Sequence, residues 1–290
     1  MESLDPHAIL ASLDLSNVEQ IELVRGGSST AIWRVLHEGY IYALRVFRPE
    51  QGESYEREIA AMVAARAGGV TVPQLIRQSV WENHPVMLLS WLPGRPLAGQ
   101  LLSHPTQAWR LGVRFGQIQA TIHRIPPPTH FDPTAWIEWA GEDETALKQR
   151  LHDLKLRRTA LLHLDYHPLN VMADGAAISG VLDWANTHAG DPRADFARTY
   201  TILRVEPYSP TGDSLRMAFF RRVLERAWRC GYQMAGGRLN DIALFYAWAG
   251  AVMLRDLSPR IGKPGFWLQS HHLDPVRQWT ADWKRRAGVS

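Results

Sequence analysis

The segments LLHLDYHPLN and VLDWANTHAGDP, residues 161–170 and 181–192, hold the densest group of chemically able side chains in this chain. A carboxylate such as Asp165 can orient a substrate hydroxyl and receive its proton. Asn170 and Asp183 can offer an amide oxygen and a second carboxylate to a hard cation. This donor set suits Mg2+ and not a structural Zn2+ site. Such a division of labour is what phosphoryl transfer requires. Asp165 or Asp183 alone would read as an ordinary turn carboxylate. Their spacing with Asn170 between them carries the chemical reading. His163, among Leu161, Leu162 and Leu164, reads as a partly buried brace of the loop. His167 has two readings, a brace or a contact to substrate or phosphate. His84, His104, His123 and His130 show no partner in the sequence. His271–His272 has no third metal ligand nearby.

Local patterns indicate what must position these groups. Apolar runs at Leu161–Leu162 and Ile178–Leu182 bracket the polar loop and a turn at Asp174–Gly175. Residues 19–48 read as two strands joined by turns, QIELVRGG leading into SSTAIWRVLHEG and then YIYALRVFR, with a hairpin turn at Glu38–Gly39. The period changes over 53–69. Ile59, Met62 and Val63 form an apolar helical face, and Gly68–Gly69 stop the helix. Strands follow at Gln74–Ser79 and Val86–Trp91, with a turn near Glu82–Asn83. After Pro96 the pattern is mostly helical. Leu111, Phe115, Ile118 and Ile122 share a face of a helix over 109–125, which Pro126–Pro128 end. Further helices are predicted over 145–156, 193–204, 213–234, 239–257 and 273–287. The expected fold class is α+β and bilobal. Residues 1–92 form a small antiparallel-sheet lobe that includes a leader and the interlobe strand. Residues 93–290 form a mainly helical lobe.

Composition narrows the class. The chain has 290 residues, 46% hydrophobic and 21% charged, as in an ordinary globular protein. Its one cysteine, Cys230, excludes an intrachain disulfide framework and a multi-cysteine metal cluster, fits a reducing compartment and reads as core. The N-terminus MESLDPHAIL lacks a basic n-region and a long apolar h-region, and no apolar run reaches the length of a membrane span. A cytoplasmic location without a membrane partner is therefore expected. Residues 1–89 carry 7 Arg and no Lys against 11 Asp or Glu, whereas residues 201–290 carry 14 Lys or Arg against 7 Asp or Glu. The basic excess is scattered, which argues against a nucleic-acid surface. A polycation should prefer an acidic cleft, so the basic C-terminal third argues against a polycationic substrate. Tyr200, Tyr208, Phe219, Phe220, Tyr246 and Trp248 could shape an apolar or sugar-stacking site, or pack as core. Trp136 and Trp139 could line a cleft or pack a loop. The sequence leaves the oligomeric state open.

Taken in order, H-x-D-x-x-x-x-N, a strand ending in D-W, and G-D-P-x-x-D resemble the aminoglycoside phosphotransferase family, small-molecule kinases with a protein-kinase-like fold. The resemblance covers roughly residues 20–260. It implies a kinase that uses ATP and Mg2+ on a hydroxylated small molecule, with residues 93–290 as the catalytic and acceptor-binding lobe. Asp165 then matches the residue that handles the acceptor hydroxyl, and Asn170 and Asp183 match the metal ligands. His163 and Asp195 match residues that hold the catalytic loop. Leu164 and Leu169 stand where the family often has glycine. On the nucleotide side, Gly26, Gly27, Ser28, Ser29 and Thr30 match the phosphate-covering hairpin, although as sequence they also read as a plain turn. Ser90, Trp91 and Leu92 match the segment that meets adenine. Glu58 matches the helix glutamate that pairs with a lysine, but the matching residue is Arg45. Three readings of Arg45 stand: it does the lysine's work in an active kinase, it marks a catalytically weak nucleotide-binding protein, or it is a surface strand residue out of register.

Overall fold

The computed structural model describes residues 4–24, 30–154, 159–205, 207, 214–238, 240–263 and 266–289, with the backbone alone for 214–218. The first half holds α1 (Pro6–Ser12), β1 (Gln20–Leu23), β2 (Ala31–His37), β3 (Tyr40–Val46), α2 (Gly52–Ala67), β4 (Leu75–Trp81) and β5 (His84–Ser90). The strands form one antiparallel sheet in the order β1-β2-β3-β5-β4. Residues 19–48 thus contain three strands where two were expected, because QIEL pairs as a strand of its own with residues 33–36. Glu38 and Gly39 have φ of 51° and 76°, and Glu82 and Asn83 have 45° and 66°. Both pairs supply the positive φ values that a two-residue hairpin turn of the right twist needs.

Alternation along the strands sorts the sheet into two faces. Trp33, Val35, Leu44, Val46, Val86 and Leu88 pack with Ile9, Leu10 and Leu13 of the leader. Here Asp5 caps α1 by accepting from the His7 amide, and Pro6 opens its first turn. Phe47, Met87 and Leu89 belong to the cluster that includes Ala61, Met62 and Ala65 of α2. Arg45 has the parity of this second face, which turns it toward α2. The buried face of α2 is Glu58, Ala61, Met62 and Ala65. It is rotated from the expected Ile59–Met62–Val63 stripe, and Val63 is 64% exposed. Alanines let α2 lie close to the sheet, and Glu58 turns inward to meet Arg45.

The second half contains β6 (Arg95–Pro96), α3 (Leu97–Ser103), α4 (Ala108–Ile122), α5 (Thr145–His152), β7 (Ala160–Leu162), β8 (Val171–Asp174), β9 (Ala177–Val181), β10 (His188–Gly190), α6 (Pro192–Val205), α7 (Ser214–Met234), α8 (Ala243–Leu257) and α9 (Asp274–Arg286). Helix α8 starts later than the expected 239, because Asp241 takes a positive φ of 56° in the preceding turn. Leu111, Phe115 and Ile122 of α4 are buried as expected. Close packing of α4 on α7 depends on glycine. A Cβ on Gly116 would lie 1.9 Å from the Trp228 carbonyl oxygen, and one on Gly231 2.0 Å from that of Val113. Trp136 and Trp248 are core, packed edge to face. Cys230 is only partly buried, so it is not the core residue expected. Among the described residues no helix is long and apolar enough to cross a membrane.

Candidate active site

The loop bearing Asp165 is held from behind. It leaves β7, which pairs with β10, and enters β8. The carboxylate of Asp195, on the first turn of α6, accepts from the amides of Leu164 at 2.7 Å and His163 at 3.3 Å. Its Oδ2 also accepts from His123 Nε2 at 2.8 Å and Gln119 Nε2 at 3.3 Å. Burial works against the Asp195 charge, but the His123 bond and charge outweigh it and hold the carboxyl below its ordinary range. Leu164 stands in a left-handed conformation, φ 58°, with its side chain fully buried. This explains why glycine would be at home there, and the Asp195 and Arg198 bonds to its backbone hold the strained turn.

The His163 ring is buried and links two segments. A carbonyl can only accept, so its Nε2 donates to Leu182 O at 3.0 Å, while Nδ1 accepts from the Asp165 amide at 3.3 Å. Burial lowers its pKa and keeps it neutral. Its two bonds join the loop to the hairpin.

Asp165 is flanked by His167 and Asn170. Asn170 Nδ2 donates to Asp165 Oδ2 at 3.1 Å and to the Asp165 carbonyl at 3.0 Å. The amide nitrogen of Asn170 is thus committed to Asp165, which leaves its amide oxygen as the group's acceptor. His167 Nε2 lies 3.5 Å from Asp165 Oδ1, and its Nδ1 accepts from the Leu169 amide at 3.2 Å. Burial would raise the Asp165 pKa, but the His167 bond and the charge of Arg198 outweigh it and bring it down to about 2.

Asp183 lies one residue beyond Leu182, whose amide bonds the Asn170 carbonyl at 2.7 Å. The hairpin of β8 and β9 therefore brings Asn170 and Asp183 to one end. Arg45 reaches this end from the sheet. It donates from NH1 to Glu58 Oε1 at 2.6 Å, from NH2 to Asp183 Oδ1 at 3.1 Å and from Nε to Thr30 Oγ1 at 3.1 Å. Arg45 is thus no surface strand residue. Burial opposes its charge, but Glu58 and Asp183 outweigh that and raise its pKa. Burial pushes the Glu58 carboxyl up to about 7 against the pull of Arg45.

Ser90, Trp91 and Leu92 link the lobes. The Ser90 and Trp91 amides are taken within the sheet, by Gln74 O at 2.8 Å and Ile41 O at 3.2 Å. Gly26, Gly27, Ser28 and Ser29 lie outside the described residues, as does Tyr208. Sequence reasoning missed Gln119, His123 and Arg198, all buried around the loop. Their approach depends on the fold, and only the apolar neighbours of His123 in QATIHRI hinted at burial.

Beside this loop lies an apolar cavity of about 350 Å³, between α3, residues 167–169, the end of α6 and α7. Phe220 lines it, whereas Tyr246 stacks with Trp279 and Trp283 as packing.

Comparison with known proteins bears on this geometry. The profile of the phosphotransferase enzyme family, APH, matches residues 20–157 and 144–233. No curated protein gives a significant match. Among solved structures, the amicoumacin kinase hAmiN in complex with AMP-PNP, Ca2+ and Ami superposes with a TM-score of 0.66 at 16% identity, covering 99% of this chain and 95% of that one. A thermostable mutant of the aminoglycoside phosphotransferase APH(4)-Ia, in ternary complex with AMP-PNP and hygromycin B, gives 0.63 at 16% identity over 98% and 99% of the two chains. The GDP complex of an aminoglycoside 2′-phosphotransferase IIIa mutant gives 0.61 at 16% over 97% of each. At such identities the likeness shows the protein-kinase-like fold. The family match covers most of the chain, and this protein belongs to the aminoglycoside phosphotransferase family of phosphotransferase enzymes.

Proposed function

We propose that this protein transfers the γ-phosphoryl group of ATP to a hydroxyl of a small molecule. The observation that carries the reading is the convergence of Asp165, Asn170 and Asp183 on one loop and hairpin, tied to the sheet by the Arg45 bridge from Glu58 to Asp183. Asp165, with a pKa of about 2, is a weak base toward a resting alcohol. Its work is to align the hydroxyl and take the proton late, once the oxygen has begun to bond to phosphorus. The alcohol oxygen forms the new P–O bond, the β–γ bridging bond breaks toward ADP, and the proton passes through Asp165 to water. The Asn170 amide oxygen and Asp183 carboxylate fit Mg2+, which takes one or two carboxylates together with phosphate oxygens. Mg2+ there would neutralise charge on the phosphates. Backbone groups around Ser90–Leu92 would meet the adenine edge.

A catalytically weak nucleotide-binding protein is the second reading. The contact of Arg45 with Asp183 favours it, because the cation must share or displace that partner. Calorimetric titration with MgATP, followed by mass detection of phosphate transfer to hydroxylated small molecules, separates the two. Transfer supports the kinase, binding without transfer to any acceptor supports the weak protein, and absence of binding overturns both.

A further inference from the structure

The cavity beside Asp165 says what kind of acceptor the site takes. Its wall includes Leu101 and Leu102 of α3, Leu169, Leu203 and Leu224, with Trp267 at the rim. Leu102 and Leu169 are each 61% exposed, so apolar surface opens directly to solvent at the mouth. A contiguous apolar surface of this kind marks a binding site more often than an idle one. His167 also lines the cavity, and it sits 3.5 Å from Asp165 Oδ1. One lining residue of the cavity therefore neighbours Asp165, the group that handles the hydroxyl. No carboxylate is among its described lining residues, and its charged side chain, Arg221, donates to the carbonyls of Ile202 and Leu203. Among the described lining residues a polycation finds no carboxylate, and its ammonium groups would lose solvation against leucine. Leu169 adds to the point, since a side chain there narrows the space beside the loop and makes it apolar.

We propose that the acceptor is a neutral alcohol on an apolar carbon skeleton, which lodges in the cavity between α3, residues 167–169 and α7 and presents its hydroxyl to Asp165. This rests on the phosphotransferase reading above. The alcohol leaves as its phosphate monoester, with ADP and a proton as the other products.

The test offers the purified chain MgATP with geraniol and 4-phenylbutan-1-ol as apolar alcohols, kanamycin as a polycation and myo-inositol as a neutral polyol. Phosphate esters are read by mass, and MgATP binding is measured separately by calorimetry. At least one apolar alcohol is expected to be phosphorylated with kcat/KM roughly tenfold or more above kanamycin and myo-inositol, the scale at which apolar pocket contacts discriminate. Leu102 is exposed enough to be changed without loss of fold, which a melting curve checks. Leu102→Glu is expected to raise KM for the better alcohol by roughly tenfold while kcat moves much less, the mark of lost binding contacts. Leu102→Met is expected to restore it. Preference for kanamycin or myo-inositol, or an unchanged KM in folded Leu102→Glu, would overturn the proposal. So would MgATP binding with neither alcohol phosphorylated, and that outcome leaves the phosphotransferase reading standing. Absence of MgATP binding removes both.

Discussion

Each reactive side chain is defined by one or two neighbours, and substitutions there should separate binding from chemistry. Asp165→Ala is expected to lower turnover by about 10²–10⁴-fold, the usual weight of such a group, with little change in MgATP affinity. Steady-state kinetics beside calorimetry checks this, and near-full turnover in the variant would remove Asp165 from the mechanism. Asp183→Ala and Asn170→Ala should instead weaken MgATP binding. Arg45 is the residue where sequence and structure inform each other most. The strand–helix order and Glu58 pointed to an ion pair, and the pair lies at 2.6 Å. The third partner, Asp183, was not legible, because it lies 138 residues away in sequence. Arg45→Ala leaves Glu58 buried without its partner, so stability should fall by about 3–5 kcal/mol if Glu58 stays ionised, and less as it protonates. Arg45→Lys keeps one charge but cannot span Thr30, Glu58 and Asp183 together. It should retain substantial activity, and because Asp183 is then released, its Mg2+ dependence should shift to lower concentration. A Mg2+ titration of both proteins decides this.

The elements that carry these residues were largely readable where periodicity speaks, and less so where a long-range contact decides. The hairpin turns at Glu38–Gly39 and Glu82–Asn83, helix α2 and the α4 stripe follow from local pattern. The short strand β10 does not, since three residues, His188–Gly190, form a strand only because β7 lies beside them. Its first residue yields a test. Burial beside Trp139 lowers the His188 pKa to about 4, and the charge of Arg57 pushes the same way. An unfolded histidine titrates near 6.5. The folded pKa is depressed, so the proton favours the unfolded chain. The contribution is complete above about pH 6.5 and is lost as pH falls toward 4, by up to about 3 kcal/mol at 1.36 kcal/mol per unit. His163, also lowered by burial, acts with the same sign. Glu58, raised to about 7, acts with the opposite sign over part of this range. The check is therefore a difference: His188→Gln should lose less denaturant stability than the parent between pH 7 and pH 4.5. Equal losses would show that His188 does not titrate as a buried neutral ring.

At the scale of the whole molecule, the site rests on one buried polar network that joins α4, the Asp165 loop, α6 and α7. Asp195 receives Leu164, His163, His123 and Gln119. Gln119 also accepts from Trp228 and donates to Thr199, and His123 Nδ1 is hydrogen-bonded to the Tyr232 hydroxyl. The motif G-D-P-x-x-D made Asp195 legible as a loop support. Its partners on α4 were not, because Gln119 and His123 stand 76 and 72 residues away and no local pattern marks them. Glycines at 116 and 231 let α4 and α7 approach closely enough for Trp228 and Tyr232 to close the network. Asp195 touches no reacting atom and is a positioning residue. Removing its carboxylate strands two buried amides and a histidine, and each unsatisfied buried group costs about 1–3 kcal/mol. Asp195→Ala should therefore lower denaturant stability by several times that of an exposed substitution, and Asp195→Asn, which keeps one acceptor oxygen, by less. Leu164 depends on the same carboxylate to hold its left-handed turn, so Asp165 should lose its alignment as well. In Asp195→Asn, kcat should fall while the KM for MgATP changes little. Calorimetric MgATP stoichiometry separates the two: a displaced loop lowers turnover per bound nucleotide, whereas a general loss of fold lowers the stoichiometry and leaves turnover per binding-competent molecule unchanged.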